Sequence, residues 1–209
     1  SFKTKDQQQH REEDPYDHFF HWIMSYRWDA DIPMPYGWFQ DKAHPSFLPT
    51  PIASWQTFDA AAFRATLSSR PDSFRQLARR PKKVAWIVSD CITPTNRSGF
   101  VEELGQYIDV DIFGKCGQRL CNATYNTDGQ DDCTLLVQTE YKFYLGLENA
   151  LCQDYVTEKF FGRVSHNVVI VMGQADYAKI APPHSYIHVQ DYASPRALAE
   201  YLHQLDRDE

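Results

Sequence analysis

The stretch Tyr141–Phe161, YKFYLGLENALCQDYVTEKFF, restricts the possible folds more than any other part of the chain. In its first half Phe143, Leu145 and Leu147 fall on one side and Tyr144 and Gly146 on the other, the period of two of a buried strand. Glu148 and Asn149 end that strand, and a short polar crossing through Gln153 and Asp154 leads to Thr157-Glu158-Lys159. Thr157 suits an N-cap, with Phe160 and Phe161 as the first apolar residues of a helix. Open α/β sheets hold phosphorylated ligands where a strand end faces a helix start, because free backbone N–H groups and the helix dipole both favour an anion. Lys159 adds a mobile positive charge at that point, and Asn149 and Glu158 are suited to hydroxyls.

The flanking segments continue the alternation. Val84–Cys91 is an apolar run of strand length, followed by a polar loop, a helix predicted over Phe100–Tyr107 and a strand at Val110–Phe113. Val168–Met172 is a further buried strand. Ser194 caps a last helix with Pro195 at its first position and Leu198, Leu202 and Leu205 as its apolar stripe. Strand, loop, helix and strand in this order predict an α/β fold with a parallel, doubly wound sheet. Upstream, residues 1–17 are a polar, charged connection. Phe20–Phe39 is dense in aromatics and ends in a Pro-Tyr-Gly turn. From Phe58 to Lys83 the pattern is helical, broken at Pro71 and ended by Pro81, and its arginines and lysines read as a surface helix pair.

A formal charge of -7 argues against a general nucleic-acid binder, which needs a net or clustered positive surface. No apolar run approaches the ~20 residues that span a bilayer. The chain opens on Ser1 in mid-sequence style and reads as a fragment. Its five cysteines, Cys91, Cys116, Cys121, Cys133 and Cys152, show no paired CxxC spacing, so disulfides in a secretory compartment are expected. The pairing stays open, and the odd count leaves one cysteine free or paired outside the fragment. Asn96-Arg97-Ser98 and Asn122-Ala123-Thr124 are glycosylation triplets. Asp29-Ala30-Asp31 offers two carboxylates that together can hold a divalent cation against a diphosphate.

Four blocks of the chain, in order, resemble the α1,3-fucosyltransferases (glycosyltransferase family 10). The opening stretch is similar to the family's YKF-L-FEN followed by DY-TEK-F. VAWIVSDC and the residues after it resemble VAW-VSNC followed by EL-KYI-VDIYGKCG. FHWIMSYRWDADIPMPYGWF resembles F-NWTM-YR-DSDI--PYG, and Ala181–Ile187 matches a further block. The chain departs from the family at His21 and Trp28. It also lacks a proline and about two residues between Phe161 and Gly173, so the loop within 162–172 is expected to be shorter or re-registered. It stops before the family's usual closing helix and aromatic motif.

The resemblance implies a GT-B-type glycosyltransferase with two Rossmann-like lobes. Residues 18–83 would be the end of the N-terminal lobe and its linker, and 84–209 an incomplete GDP-fucose-binding lobe. The implied reaction is inverting transfer of L-fucose from GDP-fucose to a GlcNAc hydroxyl on glycoprotein glycans. In this scheme Arg97 and Lys159 stabilise the departing diphosphate, and Glu158 favours positive charge developing on the sugar. Asn149, Tyr155 and Thr157 hold the donor. No cofactor is required, and a divalent cation is at most stimulatory. The general base lies upstream of this chain, which alone is expected to bind GDP but transfer little fucose. The resemblance further implies a Golgi membrane protein with a lumenal catalytic domain and an N-terminal anchor. Three readings from other classes stand beside it: a metal-dependent nucleotide-sugar transferase using Asp29 and Asp31, a non-catalytic sugar-nucleotide binding module, and a structural secreted domain.

Overall fold

Why the apolar runs become strands is visible in how they are shared between two cores. In the computed structural model, which describes residues 21–40, 73–117 and 132–207, three of these runs lie side by side as Lys82–Ile87 (β3), Tyr141–Leu147 (β5) and Val168–Met172 (β6). Val110–Phe113 (β4) joins one edge and Tyr186–His188 (β7) the other. All neighbours pair in parallel in the order β4-β3-β5-β6-β7. Alternate side chains feed opposite faces. Val84, Trp86, Phe143, Leu145 and Leu147 pack under helices Arg97–Leu104 (α2) and Pro195–Arg207 (α6). Ala85, Tyr144, Val169 and Val171 pack under Asp132–Glu140 (α3), the single turn Glu158–Phe161 (α4) and Tyr177–Ile180 (α5). The sheet is therefore doubly wound, as the alternation of Tyr141–Leu147 predicted.

The element boundaries differ from the sequence reading in instructive ways. The last part of the 58–83 stretch is a short helix, Ser73–Ala78 (α1), and Lys82 and Lys83 already belong to β3. Lys82 lies 3.6 Å from Asp111 and donates to the Tyr141 hydroxyl, and Lys83 pairs with Asp206. These partners let two lysines enter a strand that starts immediately after Pro81. Helix α2 begins at Arg97 instead of Phe100, because Asn96 takes a left-handed φ of 50° and its carbonyl accepts the Phe100 N–H at 3.2 Å. Arg97 thus sits on the first turn of a helix and not in the loop. The final helix starts at Pro195 as expected, with Ser194 Oγ accepting the Ala197 N–H at 3.2 Å. The polar connection, most of the 58–83 stretch, Cys121 and Asn122 lie outside the described residues.

The aromatic segment forms two short parallel strands, Met24–Ser25 (β1) and Ile32–Pro33 (β2). It lies against the α4 turn, where Phe39 meets Phe160 and Phe161 at 6.1 Å each. A Cβ on Gly37 would stand 2.6 Å from the Phe161 ring, so a glycine is needed for this approach. Much of the segment remains open to solvent, with Trp22 71% and Met34 58% exposed. Among the described residues no helix is long and apolar enough to cross a membrane.

Candidate active site

Strand order reverses between β3 and β5, since β4 lies outside β3 while β6 and β7 continue beyond β5. At such a switch point the crossovers leave in opposite directions and open a crevice beyond the carboxyl ends of the strands. A cleft of about 290 Å³ occupies this position, lined by Asp90, Arg97, Tyr144, Asn149, Glu158, Lys159 and Arg163 among others. Larger openings of about 480 and 520 Å³ lie at the opposite end of the sheet, beside Pro81–Val84 and beside His166–Asn167. Strand carbonyl ends and helix starts do not meet there, so the smaller cleft is the chemically equipped one.

Lys159 reaches this cleft because α4 lies almost directly on β5. A Cβ at Gly146 would be 2.8 Å from Val169 Cγ1 and 3.0 Å from the Lys159 carbonyl oxygen, so only a bare backbone admits the turn at this depth. Thr157 caps the turn, its Oγ1 accepting the Lys159 N–H at 3.4 Å. The Lys159 ammonium lies 3.0 Å from both Thr157 Oγ1 and Glu158 Oε1, and 3.5 Å from Glu148 Oε2. Burial works against its charge, but the Glu148 and Glu158 carboxylates outweigh that and hold its pKa above the usual lysine value. Glu158 keeps 68% of its side chain exposed; burial raises its pKa, but the hydrogen bond and charge of Lys159, with hydrogen bonds from its own backbone and Thr157, together hold it below the ordinary range.

Glu148 was passed over in the sequence as the residue where the strand runs out. The structure buries it completely, at 0% exposure, on the backbone continuing from β5. Its Oε1 accepts the Thr157 N–H at 2.8 Å, and its two carboxylate oxygens accept the Thr157 hydroxyl at 3.0 and 2.9 Å. Burial pushes its pKa up, and the Thr157 N–H and the Lys159 charge pull against that. The anion expected at this helix start is thus partly supplied by the chain itself. The α4 turn has only four residues, so its dipole adds little.

The opposite side of the cleft is built by Arg97, at 2% exposure. Its Nη1 donates to the Leu147 carbonyl and its Nη2 to the Asp90 carbonyl, both at 2.8 Å, while the guanidinium stacks 5.6 Å from the Trp86 ring. Burial lowers its pKa, and Asp90 and Glu148 oppose the shift. Its Nε is buried without a partner, as is Asn149 Oδ1. Asn149 Nδ2 donates to Asp90 Oδ2 at 3.1 Å. Arg163, likewise not foreseen, lies 4.9 Å from the Tyr144 ring and donates to Thr134 Oγ1 at 2.9 Å. Its signal in the sequence is faint, since it sits in the 162–172 segment, where the family resemblance is interrupted.

Arg97, Asn149, Glu158 and Lys159 therefore share one cleft, whereas Thr157 is buried behind it and Tyr155 stands aside. Tyr155 is held edge-on by Tyr26 at 5.1 Å and Tyr36 at 6.3 Å, which brings the aromatic segment to the same end of the sheet. The Asp29 and Asp31 carboxylates do not line the cleft. Asp29 accepts from Arg27 Nε at 2.7 Å, and Asp31 accepts the Ile23 N–H at 2.9 Å, so both serve the segment's own turn. Cys91 and Cys116 form a disulfide joining the loops after β3 and β4, Cys133 is also disulfide-bonded, and Cys152 is free and exposed. Asn96 is exposed beside the cleft, while Ser98 of its triplet donates to the Cys91 carbonyl at 2.6 Å.

A parallel doubly wound sheet with cationic and polar side chains gathered at its switch point is the arrangement of a Rossmann-like lobe of the α/β class. The chain belongs to glycosyltransferase family 10: the family described as "Glycosyltransferase family 10 (fucosyltransferase) C-term" matches residues 77–209. Curated relatives include the Drosophila melanogaster glycoprotein 3-alpha-L-fucosyltransferase A, 37% identical over 87% of this chain and 35% of the relative. Alpha-(1,3)-fucosyltransferase 4 of Bos taurus is 34% identical over 90% of this chain and 42% of its own length. The chain thus spans well under half the length of these relatives. A crystal structure of an α1,3-fucosyltransferase with GDP-fucose superposes with a TM-score of 0.52 and 25% identity, covering 63% of this chain and 37% of that one. The fold is that of a GT-B-type glycosyltransferase.

Proposed function

We propose that the complete protein carrying this chain is an inverting α1,3-fucosyltransferase that moves L-fucose from GDP-fucose to GlcNAc on glycoprotein glycans. The observation that carries this reading is the convergence of Arg97, Asn149, Glu158 and Lys159 on the switch-point cleft of a family 10 lobe. A cleft of about 290 Å³ is at the low end for a ligand site, which suits the diphosphate end of a donor whose remainder is enclosed elsewhere.

In this reading Lys159 exchanges its Glu158 partner for the diphosphate and stabilises the charge that builds on the leaving group. Arg97 contributes from the wall of the cleft: two of its N–H donors are committed to carbonyls, and its charge acts through a poorly screened interior. Glu158, once released from Lys159, faces the sugar and favours its developing positive charge. Asn149 and Tyr155 position the donor, and Thr157 sets the turn that carries both charged residues. The general base belongs to the part of the enzyme outside this chain, so the chain alone binds GDP without appreciable transfer. No cofactor is needed, and a divalent cation at most stimulates. The commitment of Asp29 and Asp31 to their own turn counts against the metal-dependent alternative.

The Cys91–Cys116 disulfide suits an oxidising lumen, in keeping with a Golgi enzyme anchored through its N-terminal region, with Asn96 and Asn122 as glycan acceptors. The deciding experiment is transfer by the complete protein from GDP-fucose to N-glycan core GlcNAc and to outer-chain GlcNAc, with and without EDTA. Transfer to either that survives EDTA supports the proposal. Binding of GDP-fucose with no turnover on either acceptor overturns it in favour of a binding module.

A further inference from the structure

Glu148 is the most deeply buried acidic side chain among the described residues, and the scheme above leaves it without a role. A carboxylate at 0% exposure is costly unless its charge is matched and its oxygens are hydrogen-bonded. Both conditions are met by the same short segment: Thr157 supplies an N–H and a hydroxyl, and Lys159 supplies the cation. On its other side, the carbonyl of the preceding Leu147 accepts from Arg97, and the Glu148 N–H donates to the Met172 carbonyl at 3.0 Å. Glu148 is therefore fixed at the point where β5, β6 and α4 meet.

The two carboxylates on Lys159 are not equivalent. Glu158 is largely exposed on a one-turn helix and is free to yield its place to an incoming anion. Glu148 has no solvent to retreat into, at 0% exposure, and both of its carboxylate oxygens are held by Thr157. We propose that Glu148 is a positioning residue of the transfer reaction: it anchors Lys159 through the Thr157 hydroxyl and its own carboxylate, so that the ammonium stays aimed into the cleft when Glu158 is displaced by the diphosphate. This inference rests on the assignment of Lys159 to the leaving group.

The test is a double-mutant cycle in the complete enzyme, with Glu148→Gln and Lys159→Met alone and together, reading kcat and the KM for GDP-fucose. Glutamine keeps the size and the acceptor for the Thr157 N–H but removes the charge. A residue acting through Lys159 gives E148Q a loss of about tenfold or more in kcat, with KM for GDP-fucose unchanged or lowered because a negative charge beside Lys159 has been removed. In the Lys159→Met background the same substitution costs nothing further. A merely structural role predicts an equal loss in both backgrounds. Equal losses, or E148Q activity within about twofold of the parent, overturn the inference while leaving Lys159 in place. Normal transfer by Lys159→Met would instead overturn the leaving-group assignment and this inference with it. If E148Q does not fold, Thr157→Val removes the bridging hydroxyl at constant shape, and the same cycle with Lys159→Met decides the question.

Discussion

The two sides of the cleft each present a cation, and they hold it in opposite ways. Arg97 is clamped between two backbone carbonyls that end β5 and follow β3, and it stacks on Trp86. Lys159 is held by side chains, one of which is mostly in solvent. A cation bonded to carbonyls at and beyond strand ends fastens the switch point itself, because releasing it would strand the buried Leu147 acceptor. A cation bonded to carboxylates can trade partners at little cost, because one anion replaces another. In the proposed reaction this difference would divide the work: Arg97 would fasten the cleft and lend it charge, and Lys159 would exchange partners with the ligand.

The largest effect should come from removing the exchangeable cation. Lys159→Met in the complete enzyme is expected to lower kcat by about 100- to 1,000-fold, the usual cost of losing one donor to a developing negative charge, while the protein stays folded. Steady-state rates with a fixed glycan acceptor and circular dichroism together check this. Loss of fold alongside activity would erase the contrast between the two sides.

Arg97→Met should act first on stability. It leaves the buried Leu147 carbonyl without its donor, at an expected loss of about 1–3 kcal/mol, whereas the Asp90 carbonyl, on an exposed residue, can turn to water. The measurement is the urea midpoint. An Arg97→Met protein as stable as its parent, yet inactive, would make Arg97 a ligand-contacting group like Lys159.

A smaller effect is expected where the aromatic segment meets the site. Tyr26→Leu removes the edge-on contact with Tyr155, worth about 0.5–1.5 kcal/mol. If Tyr155 bears on the donor, KM for GDP-fucose should rise roughly twofold to tenfold with little change in kcat. An unchanged KM would confine the donor to the two cationic sides.

How much of this could be read beforehand follows from the same contrast. The β5 alternation, the N-cap Thr157 and the start at Pro195 were legible because period and capping are local. The start of β3 was misread because Lys82 and Lys83 are polar in sequence, and become strand residues only through Asp111 and Asp206 far along the chain. Helices α3 and α5 were not anticipated, since α5 is one turn and α3 buries little beyond Val137 and Gln138. In the site, the residue types at positions 149, 158 and 159 announced themselves. The burial of Glu148 did not, because an acidic residue at a strand end reads as solvent-facing until Thr157 and Lys159 fold over it.

The subtlest expected effect is a pH dependence that sets Glu148 against Glu158. Burial raises the pKa of Glu148 despite the opposing Thr157 N–H and Lys159 charge, with Arg97, Glu158 and Tyr177 also within electrostatic reach. A carboxyl whose pKa is higher folded than unfolded holds its proton more tightly when folded. Its contribution to stability is therefore complete below the ordinary glutamate pKa of about 4.3 and is lost as pH rises through the raised value. Glu158 has the opposite sign: its pKa is lowered on folding, so its contribution is present above the ordinary range and is lost as pH falls through the lowered value. Being mostly exposed, Glu158 is screened, and its contribution is the smaller of the two. Urea midpoints from about pH 4 to 8 should show the parent losing stability relative to Glu148→Gln as pH rises, and gaining slightly relative to Glu158→Gln over the same interval. Parallel curves for the parent and Glu148→Gln would mean that Lys159 and Thr157 compensate the buried charge in full. Glu148 would then titrate alike folded and unfolded, and its difference from Glu158 would rest on burial and hydrogen bonding alone.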